Sequence, residues 1–406
     1  MADRIRRGTE RVTPLELFFD LVVVFAITQV TAFISEDPTW HGLLRGMLLL
    51  GALWWAWAAY AWLTNTLDPE EGAVRLAVFG AMAAMLIVSL AAPNAFAEDG
   101  VVFGVAYFVV RALHFVLYLI AGRGDRDMLR AVVRITPSAT LGPALLVIAG
   151  FFHGATQLAL WGVALAIDYL GVLIGHMRGW RVSPEHFVER HGLVIIIALG
   201  ESIVAIGVGA AGLSLGTAAI TAVLLGITVV AALWWSYFDW VAFVLQSRLA
   251  EATGEARATL ARDAYSYLHL PMVGGIVLFA LGLEVALAHA GDPLPTIPAI
   301  GLSGGVALYL LAHIGLRLRI GGGFGRGRPI ATILLLGLIP VAMKASALIA
   351  LALVATVCTM LIAYEALRYR DARAWIRSRR GAFTTEEVSR IARAPSRIGR
   401  RGSRDI

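Results

Sequence analysis

The first long apolar segment of the chain carries two acids in its opening turns. It starts as Thr13-Pro14-Leu15-Glu16-Leu17-Phe18-Phe19-Asp20 and continues as LVVVFAITQV over residues 21–30. Glu16 and Asp20 are four residues apart and therefore share one face of a helix. Gln29 lies close to the same face. Asp20 falls about 8 Å into the segment, at about 1.5 Å per residue, so the pattern predicts a membrane-spanning helix that turns a polar stripe toward the protein interior.

The composition of the chain is that of a membrane protein. Its 406 residues are 15% charged, whereas a soluble globular domain is about 25% charged, and its mean hydropathy is +0.76. Apolar runs of about 20 residues, the length that crosses a bilayer, recur along the sequence. Transmembrane β-barrels show short alternating segments instead. We therefore expect an all-α polytopic membrane protein.

Twelve membrane spans are predicted from these runs. They cover about residues 15–34, 43–63, 74–92, 101–121, 132–151, 156–176, 191–211, 217–245, 264–288 and 297–316, with two more inside 329–367 that meet at a turn near Lys344. The chain is accordingly divided into a basic N-terminus (1–14), a first six-helix half (15–178), a linker (179–190), a second six-helix half (191–369) and a basic tail (370–406).

Arginine placement predicts the orientation of these spans. Arginines cluster in the loops within 123–134, 178–190, 248–262 and 317–328, and the loops between them are nearly free of basic residues. By the positive-inside rule, both termini are expected in the cytoplasm, with the spans in the inner (plasma) membrane. The tail from Arg370 onward holds 11 arginines and 4 acids, so it accounts for the net charge of +6. We expect membrane lipids, rather than nucleic acid, as its partners.

Several matches indicate that the two halves repeat. Ala52–Trp55 matches Ala232–Trp235, residues 21–27 resemble 193–199, and His114 and Pro143 have counterparts in His313 and Pro340. All four matches occur in the same order along both halves. Because six spans separate them, the halves would share orientation, which predicts a parallel repeat.

Buried charges are the strongest functional signal in such a sequence. A charge at the bilayer centre costs about 2.5–3.5 kcal/mol on insertion scales, so it normally faces a cavity or a partner. Arg111 lies deep in the fourth span, with His114 on the same helical face. Asp20, Asp168 and Glu201 are its candidate partners, and the sequence leaves all three open.

Glu201 lies at the middle of the seventh span and is the most deeply placed acid. Gly200 and Gly207 beside it are expected to allow close helix approach. Two interpretations of these acids stay open: a proton or solute pathway that includes Asp20 and Glu201, or structural ion pairs. His114 and His313 belong either to that pathway or to hydrogen-bonded helix packing.

Several chemical classes lack their motifs. The chain has no Walker A sequence, no HExxH and a single cysteine, Cys358, so we expect no P-loop, zinc-protease or disulfide chemistry and no cofactor. The glycine-rich run 321–325 does not follow a strand and is flanked by arginines, so it is interpreted as a flexible loop and not as a phosphate cradle.

Three motifs together resemble the bacterial low temperature requirement protein A (LtrA) family. They are residues 14–21 (PLELFFDL), residues 189–193 (ERHGL) and residues 199–202 (LGES), and the likeness spans roughly residues 12–370. The resemblance implies a multi-span inner-membrane protein associated by name with growth in the cold, without a settled substrate. It marks the matched positions Pro14, Glu16, Asp20, Arg190, Gly200 and Glu201 as important.

The leading functional hypothesis is a secondary transporter or ion-coupled permease for a small solute. Its polar site would contain Asp20, Glu201, Asp168 and Arg111, and protonation of Asp20 or Glu201 would couple to solute movement. One alternative is a non-transporting sensor or scaffold in cold adaptation. Another is an intramembrane lipid-modifying enzyme, which requires histidines and acids that converge beside a lipid-accessible cleft.

Overall fold

The computed structural model describes residues 11–211, 214 and 216–370. Within these residues the regular structure is helical and no β-strand occurs. Twelve apolar helices follow one another: α1 Pro14–Glu36, α2 Trp40–Thr64, α3 Gly72–Asn94, α4 Gly100–Ala121, α5 Arg126–Ala149, α6 Gly154–Ile174, α7 Pro184–Gly209, α8 Thr217–Glu251, α9 Gly254–Ala288, α10 Thr296–Arg319, α11 Gly327–Ala342 and α12 Ala347–Arg368.

Eleven of these helices are long and apolar enough to cross a membrane, and α11 is shorter, with 16 residues. The predicted all-helical architecture with many apolar helices is thus confirmed; among the described residues eleven helices are candidate spans, and the expected eleventh span is the shorter apolar helix α11. The turn expected near Lys344 lies between α11 and α12. The seventh helix begins at Pro184 rather than near residue 191, which places part of the expected linker inside a helix. The basic tail beyond Arg370 and residues 1–10 lie outside the described residues.

The described residues form two compact units. The first contains residues 11–197 with Thr253–Arg262, and the second contains Ala198–Ala252 with residues 263–370. The predicted six-helix halves stay a prediction.

The opening motif forms the start of α1 as its residue types require. Thr13 caps the helix, because its side chain accepts from the Glu16 backbone N–H while the Glu16 carboxylate accepts from the Thr13 N–H at 2.8 Å. This reciprocal pair is a capping box. Pro14 occupies the first helical position, where its missing N–H has no consequence.

In the first unit, α2 is the most enclosed helix, and α5 and α6 expose apolar side chains. Backbones approach closely at glycines: a Cβ on Gly104 would lie 2.6 Å from Val147 Cα, and one on Gly150 would lie 2.4 Å from Val101 N. Close approach of this kind is how membrane helices gain packing contacts. Arg262 adds a polar tie, since its Nη1 donates to three carbonyls at the C-terminal end of α6.

In the second unit, four glycines form the seam between α9 and α10. They are Gly275, Gly282, Gly301 and Gly305, where an added Cβ would meet the opposite backbone at 2.3–2.6 Å. The expectation of close approach at Gly200 and Gly207 was wrong, because no described atom outside their own stretch of helix lies within 4 Å of a Cβ built at either position. Small residues in an apolar helix do not by themselves identify the contact face.

The two tryptophan pairs that suggested a repeat have different environments. Trp54 and Trp55 are buried in the first unit, with Trp55 stacked on Tyr169 at 4.1 Å between ring centroids. Trp234 and Trp235 are 45% and 42% exposed in the second unit. The matching residues therefore do not carry matching packing roles, and the internal repeat stays a prediction.

Candidate functional site

Two turns of α1 and two turns of α7 meet in the first unit through paired polar side chains. Glu16 lies 2.9 Å from His186, and Asp20 lies 2.9 Å from Arg190. Both contacts join residues 170 positions apart, so the two helices run in the same direction in matched register. Residues four apart share a helical face, which explains why both contacts form at once. All four side chains are at most 1% exposed.

The hydrogen bonds around His186 determine which ring nitrogen carries the proton. The Ser183 N–H donates to Asn65 Oδ1 at 2.9 Å, so the Asn65 amide group is oriented with its Nδ2 toward Ser183 O and His186 Nδ1. Since an amide nitrogen only donates, Nδ1 must accept. The proton of the neutral ring is therefore on Nε2, which donates to Glu16. Glu16 also accepts from the Thr13 hydroxyl at 3.0 Å, and this set of donors suits a carboxylate.

Asp20 and Arg190 form a completely buried ion pair. Asp20 Oδ2 accepts from Arg190 Nη1, and Asp20 Oδ1 accepts from the Trp57 indole N–H at 2.9 Å. Within the described residues, Arg190 Nε and Nη2 are buried and have no hydrogen-bond partner. An unsatisfied buried donor costs about 1–3 kcal/mol, and more when it is charged. Such groups therefore suit a bound water or the polar group of a ligand.

A second buried ion pair joins α4 to α6. Arg111 Nη2 donates to Asp168 Oδ1 at 3.2 Å, and both side chains are almost fully buried. The structure thus selects Asp168 from the three candidate partners. Gly142 on α5 makes room for this carboxylate, because a Cβ there would lie 2.9 Å from Asp168 Cγ. His114 is buried beside the rings of Tyr60 and Tyr118, in an aromatic packing environment.

Two other residues of the predicted polar site, Glu201 and Gln29, do not join these ion pairs. Glu201 is buried in the second unit, whereas Asp20, Arg111 and Asp168 belong to the first. Gln29 is only half-buried, so it does not continue the buried stripe of Glu16 and Asp20.

In the second unit, His313 contacts Arg328, whose guanidinium also binds Glu365 through two nitrogens at 2.9 and 3.2 Å. Arg328 further donates to the carbonyl of Ser236 at 3.0 Å. That carbonyl directly precedes a π-helical turn of α8, Tyr237–Val241, where the regular hydrogen-bond ladder is interrupted.

Sequence reasoning missed Asn65, His186 and the Arg328–Glu365 pair, and it singled out Arg190 only through the family resemblance. Trp57 was noted only as part of a tryptophan-rich face and not as a partner of Asp20. A local signal existed for His186 and Arg190. Ser183-Pro184 is a capping residue followed by proline, as Thr13-Pro14 is, and this combination is typical of a helix start. A helix begun at Pro184 places His186 and Arg190 on one face.

The arrangement of histidines and acids bears on two chemical possibilities, a metal site and a lipid-modifying active site. Within the described residues, no group of three or more histidines, cysteines and acids lies close enough to hold a metal ion. Histidine and acid do converge at Glu16 and His186, as the enzyme alternative requires, but these side chains are 1% and 0% exposed. They are enclosed rather than part of an open, lipid-accessible cleft.

Eleven long apolar helices in the described part of the chain, with ion pairs buried among them, define a multi-pass membrane protein. The chain belongs to the family described as bacterial low temperature requirement A protein (LtrA), whose family model matches residues 11–363. It is also 33% identical over 291 residues to the Rhizobium meliloti (strain 1021) protein called Uncharacterized protein RA0937, covering 68% of this chain and 69% of that protein. No solved structure matches this chain.

Proposed function

We propose that the chain is a secondary transporter, an ion-coupled permease for a small solute, in the inner membrane. In this proposal both termini are cytoplasmic and the two six-helix halves are parallel repeats. Asp20 and Arg190 would form the coupling element. The observation that supports this most directly concerns the fully buried Arg190 guanidinium. One of its nitrogens donates to Asp20, and the other two have no hydrogen-bond partner in the described residues.

The chemistry of coupling follows from the ion pair. When Asp20 is ionised, it holds Arg190 through a charge-assisted hydrogen bond, which is stronger than a neutral one. A proton on Asp20 removes that charge and leaves Arg190 as a buried cation. An isolated buried charge is strongly unfavourable, so Arg190 would then favour an anionic group of a solute. Proton binding and solute binding would thereby be linked.

A second candidate is a non-transporting membrane sensor or scaffold. It is favoured by the Glu16–His186–Asn65 chain, in which the donors and acceptors match and link α1, α2 and α7. A matched chain of this kind rigidifies a polar core without needing an open path. The two candidates differ in what happens when the charges at Asp20 and Arg190 are removed together.

The test uses the full chain reconstituted in liposomes with trapped pyranine as the pH indicator. A potassium diffusion potential set by valinomycin drives proton entry, with amino acids, organic acids and sugars supplied in turn. The proposal expects proton entry above that of protein-free liposomes, stimulated by at least one solute. The double variant Asp20→Asn/Arg190→Gln should lower it at least tenfold per folded protein, and the exposed-site control Glu98→Gln should leave it unchanged.

The double variant is chosen because it leaves no isolated ion in the core, so that loss of flux is separable from loss of folding. Folded protein is counted as the monodisperse fraction in size-exclusion chromatography before reconstitution. Wild-type flux that equals protein-free liposomes for every solute would overturn the transporter proposal. A double variant that keeps wild-type flux would remove Asp20 and Arg190 from the mechanism.

A further inference from the structure

A pocket opens in the second unit, where the ends of α8, α10 and α12 meet the start of α11. Its enclosed volume is about 80 Å³, several times the roughly 10–15 Å³ that holds one water molecule. The loop between α10 and α11, residues 320–326, forms one wall. All residues that line this pocket belong to the second unit, whereas Asp20 and Arg190 belong to the first.

The pocket carries an excess of positive charge. Four arginines line it, Arg248, Arg317, Arg326 and Arg328, against one acid, Glu365. Glu365 is already bound by Arg328, and Arg248 contacts Glu251. Within the described residues, Arg317 and Arg326 make no ion pair. Two cationic side chains are therefore left facing a space that no carboxylate of the described chain neutralises.

The glycine-rich loop is shaped around one of these cations. Gly321 and Gly325 have φ angles of +79° and +71°, which residues other than glycine rarely adopt. A Cβ on Gly322 would lie 2.7 Å from Arg317 Cγ, and one on Gly325 would lie 3.0 Å from Arg317 Nη1. The glycines thus let the loop lie directly against the Arg317 side chain along its length.

The start of α11 adds hydrogen-bond donors to the same wall. Gly327 and Arg328 belong to its first turn and line the pocket. The first N–H groups of a helix have no partner within the helix, and together with the helix dipole they favour anions. In combination with Arg317 and Arg326, they form a set of donors that matches a phosphate group.

The remaining lining is apolar and aromatic. Trp240 and Tyr369 stack with ring planes 16° apart, and Val244 and Leu245 also line the pocket. Phe324 is 67% exposed at the pocket. A free inorganic anion would not contact this apolar surface favourably, whereas a molecule with a phosphate group and an apolar part can bind both the arginines and the apolar lining. Basic pockets between membrane helices are a known mode of headgroup binding.

We propose that this pocket binds the phosphate of an anionic phospholipid headgroup, with Arg317 and Arg326 as the phosphate ligands. The loop 321–325 is then more than a flexible connection, since it holds Arg317 in place. Ordinary positive-inside arginines serve as charges spread over a loop. Here the two uncompensated arginines line one cavity together with aromatic side chains.

The experiment titrates the full-length protein, purified in dodecyl maltoside, with dioleoylphosphatidylglycerol and measures bound lipid by native mass spectrometry. Dioleoylphosphatidylcholine is the zwitterionic comparison, and inorganic phosphate is the soluble competitor. The variant Arg317→Gln/Arg326→Gln should weaken phosphatidylglycerol binding at least tenfold. The matched control Arg123→Gln/Arg126→Gln removes the same charge from two exposed arginines of the first unit and should stay within twofold of wild type.

Each remaining outcome decides the matter. Equal weakening in both double variants, or equal binding of the two lipids by wild type, would mean general charge attraction and overturn the proposal. Displacement of the lipid by millimolar inorganic phosphate would assign the pocket to a soluble phosphate compound instead. If the double variant does not fold, the single variant Arg326→Gln decides, because Arg326 is exposed; binding unchanged in that variant contradicts the proposal.

Discussion

Removing one charge from the Asp20–Arg190 pair should destabilise the protein far more than removing both. The two side chains are 1% and 0% exposed and joined at 2.9 Å. Breaking a buried ion pair from one side costs about 3–5 kcal/mol, because the remaining charge is left without compensation. We expect Asp20→Asn to lie within that range, because its one amide oxygen can replace only one of the two acceptors and its amide nitrogen would face the other donor, either the Trp57 indole or Arg190.

The double variant Asp20→Asn/Arg190→Gln leaves two neutral amides that can bind one another. Its loss should be about 1–2 kcal/mol, because neutral replacement of a buried pair is often tolerated. The two single losses together, about 6–10 kcal/mol, then exceed the double loss by a coupling of about 4 kcal/mol or more, above the usual range of about 0.5–3 kcal/mol for contacting residues. The assay is the free energy of unfolding from a denaturant titration in detergent micelles, followed by tryptophan fluorescence.

A surface pair of the same residue types provides the control. Asp127 and Arg130 form an ion pair at 3.2 Å with side chains that are 68% and 71% exposed. Exposed pairs of this kind contribute about 0–1 kcal/mol, so Asp127→Asn, Arg130→Gln and their combination should be nearly indistinguishable from wild type. The reasoning is refuted if Asp20→Asn behaves like Asp127→Asn, or if the buried double variant is no more stable than the worse of its single variants.

Two further substitutions test helix packing and the orientation of the polar chain. Gly104→Ala should lower the free energy of unfolding, because its Cβ would lie 2.6 Å from the backbone of Val147. Gly200→Ala should leave the free energy of unfolding unchanged or raise it by up to about 1 kcal/mol, because alanine has the higher helix propensity. The same denaturant titration measures both variants, and equal effects would contradict the assigned contact at Gly104. Asn65→Asp should destabilise by about 1–3 kcal/mol, because a carboxylate oxygen would face the carbonyl that the amide now donates to. The exposed-site control Asn94→Asp should change little, and a wild-type melting temperature for Asn65→Asp would refute the proposed hydrogen-bond directions.

Composition was sufficient to predict the fold class, because the cost of exposing backbone polar groups to lipid leaves only helices and closed barrels as spanning structures. The helix count followed from segment length. The short α11 was the exception: its 16 residues fall below the usual spanning length of about 20. The start of α7 was misplaced by seven residues, because the charges of Glu185, Glu189 and Arg190 resemble those of a loop. The helix accommodates them because Asp20 on α1 compensates Arg190, while Glu185 and Glu189 are exposed.

The pairing of the buried charges, unlike the fold class, could not be predicted from the sequence. Insertion cost shows that Arg111 needs a partner, but the choice among three acids depends on which helices pack together. Gly142 leaves space for the Asp168 carboxylate beside Arg111, and nothing near Arg111 in the sequence reports that space. The Glu16 and Asp20 spacing could have been matched with His186 and Arg190, since both are four-residue pairs that follow a Ser/Thr-Pro helix start. That match requires the correct start of α7.

Arg190 differs from the other buried polar residues of this site in how many of its hydrogen-bonding groups have a partner. Glu16, His186 and Asn65 use complementary donors and acceptors, and Asp20 has a donor on each oxygen. A purely structural pair would be expected to use more of the arginine as well, because each unused buried donor lowers stability. Arg190 leaves two nitrogens unused in the described residues, although it is completely buried. These two donors suit a bound water or the polar group of a ligand, and in the transporter proposal they would bind the solute.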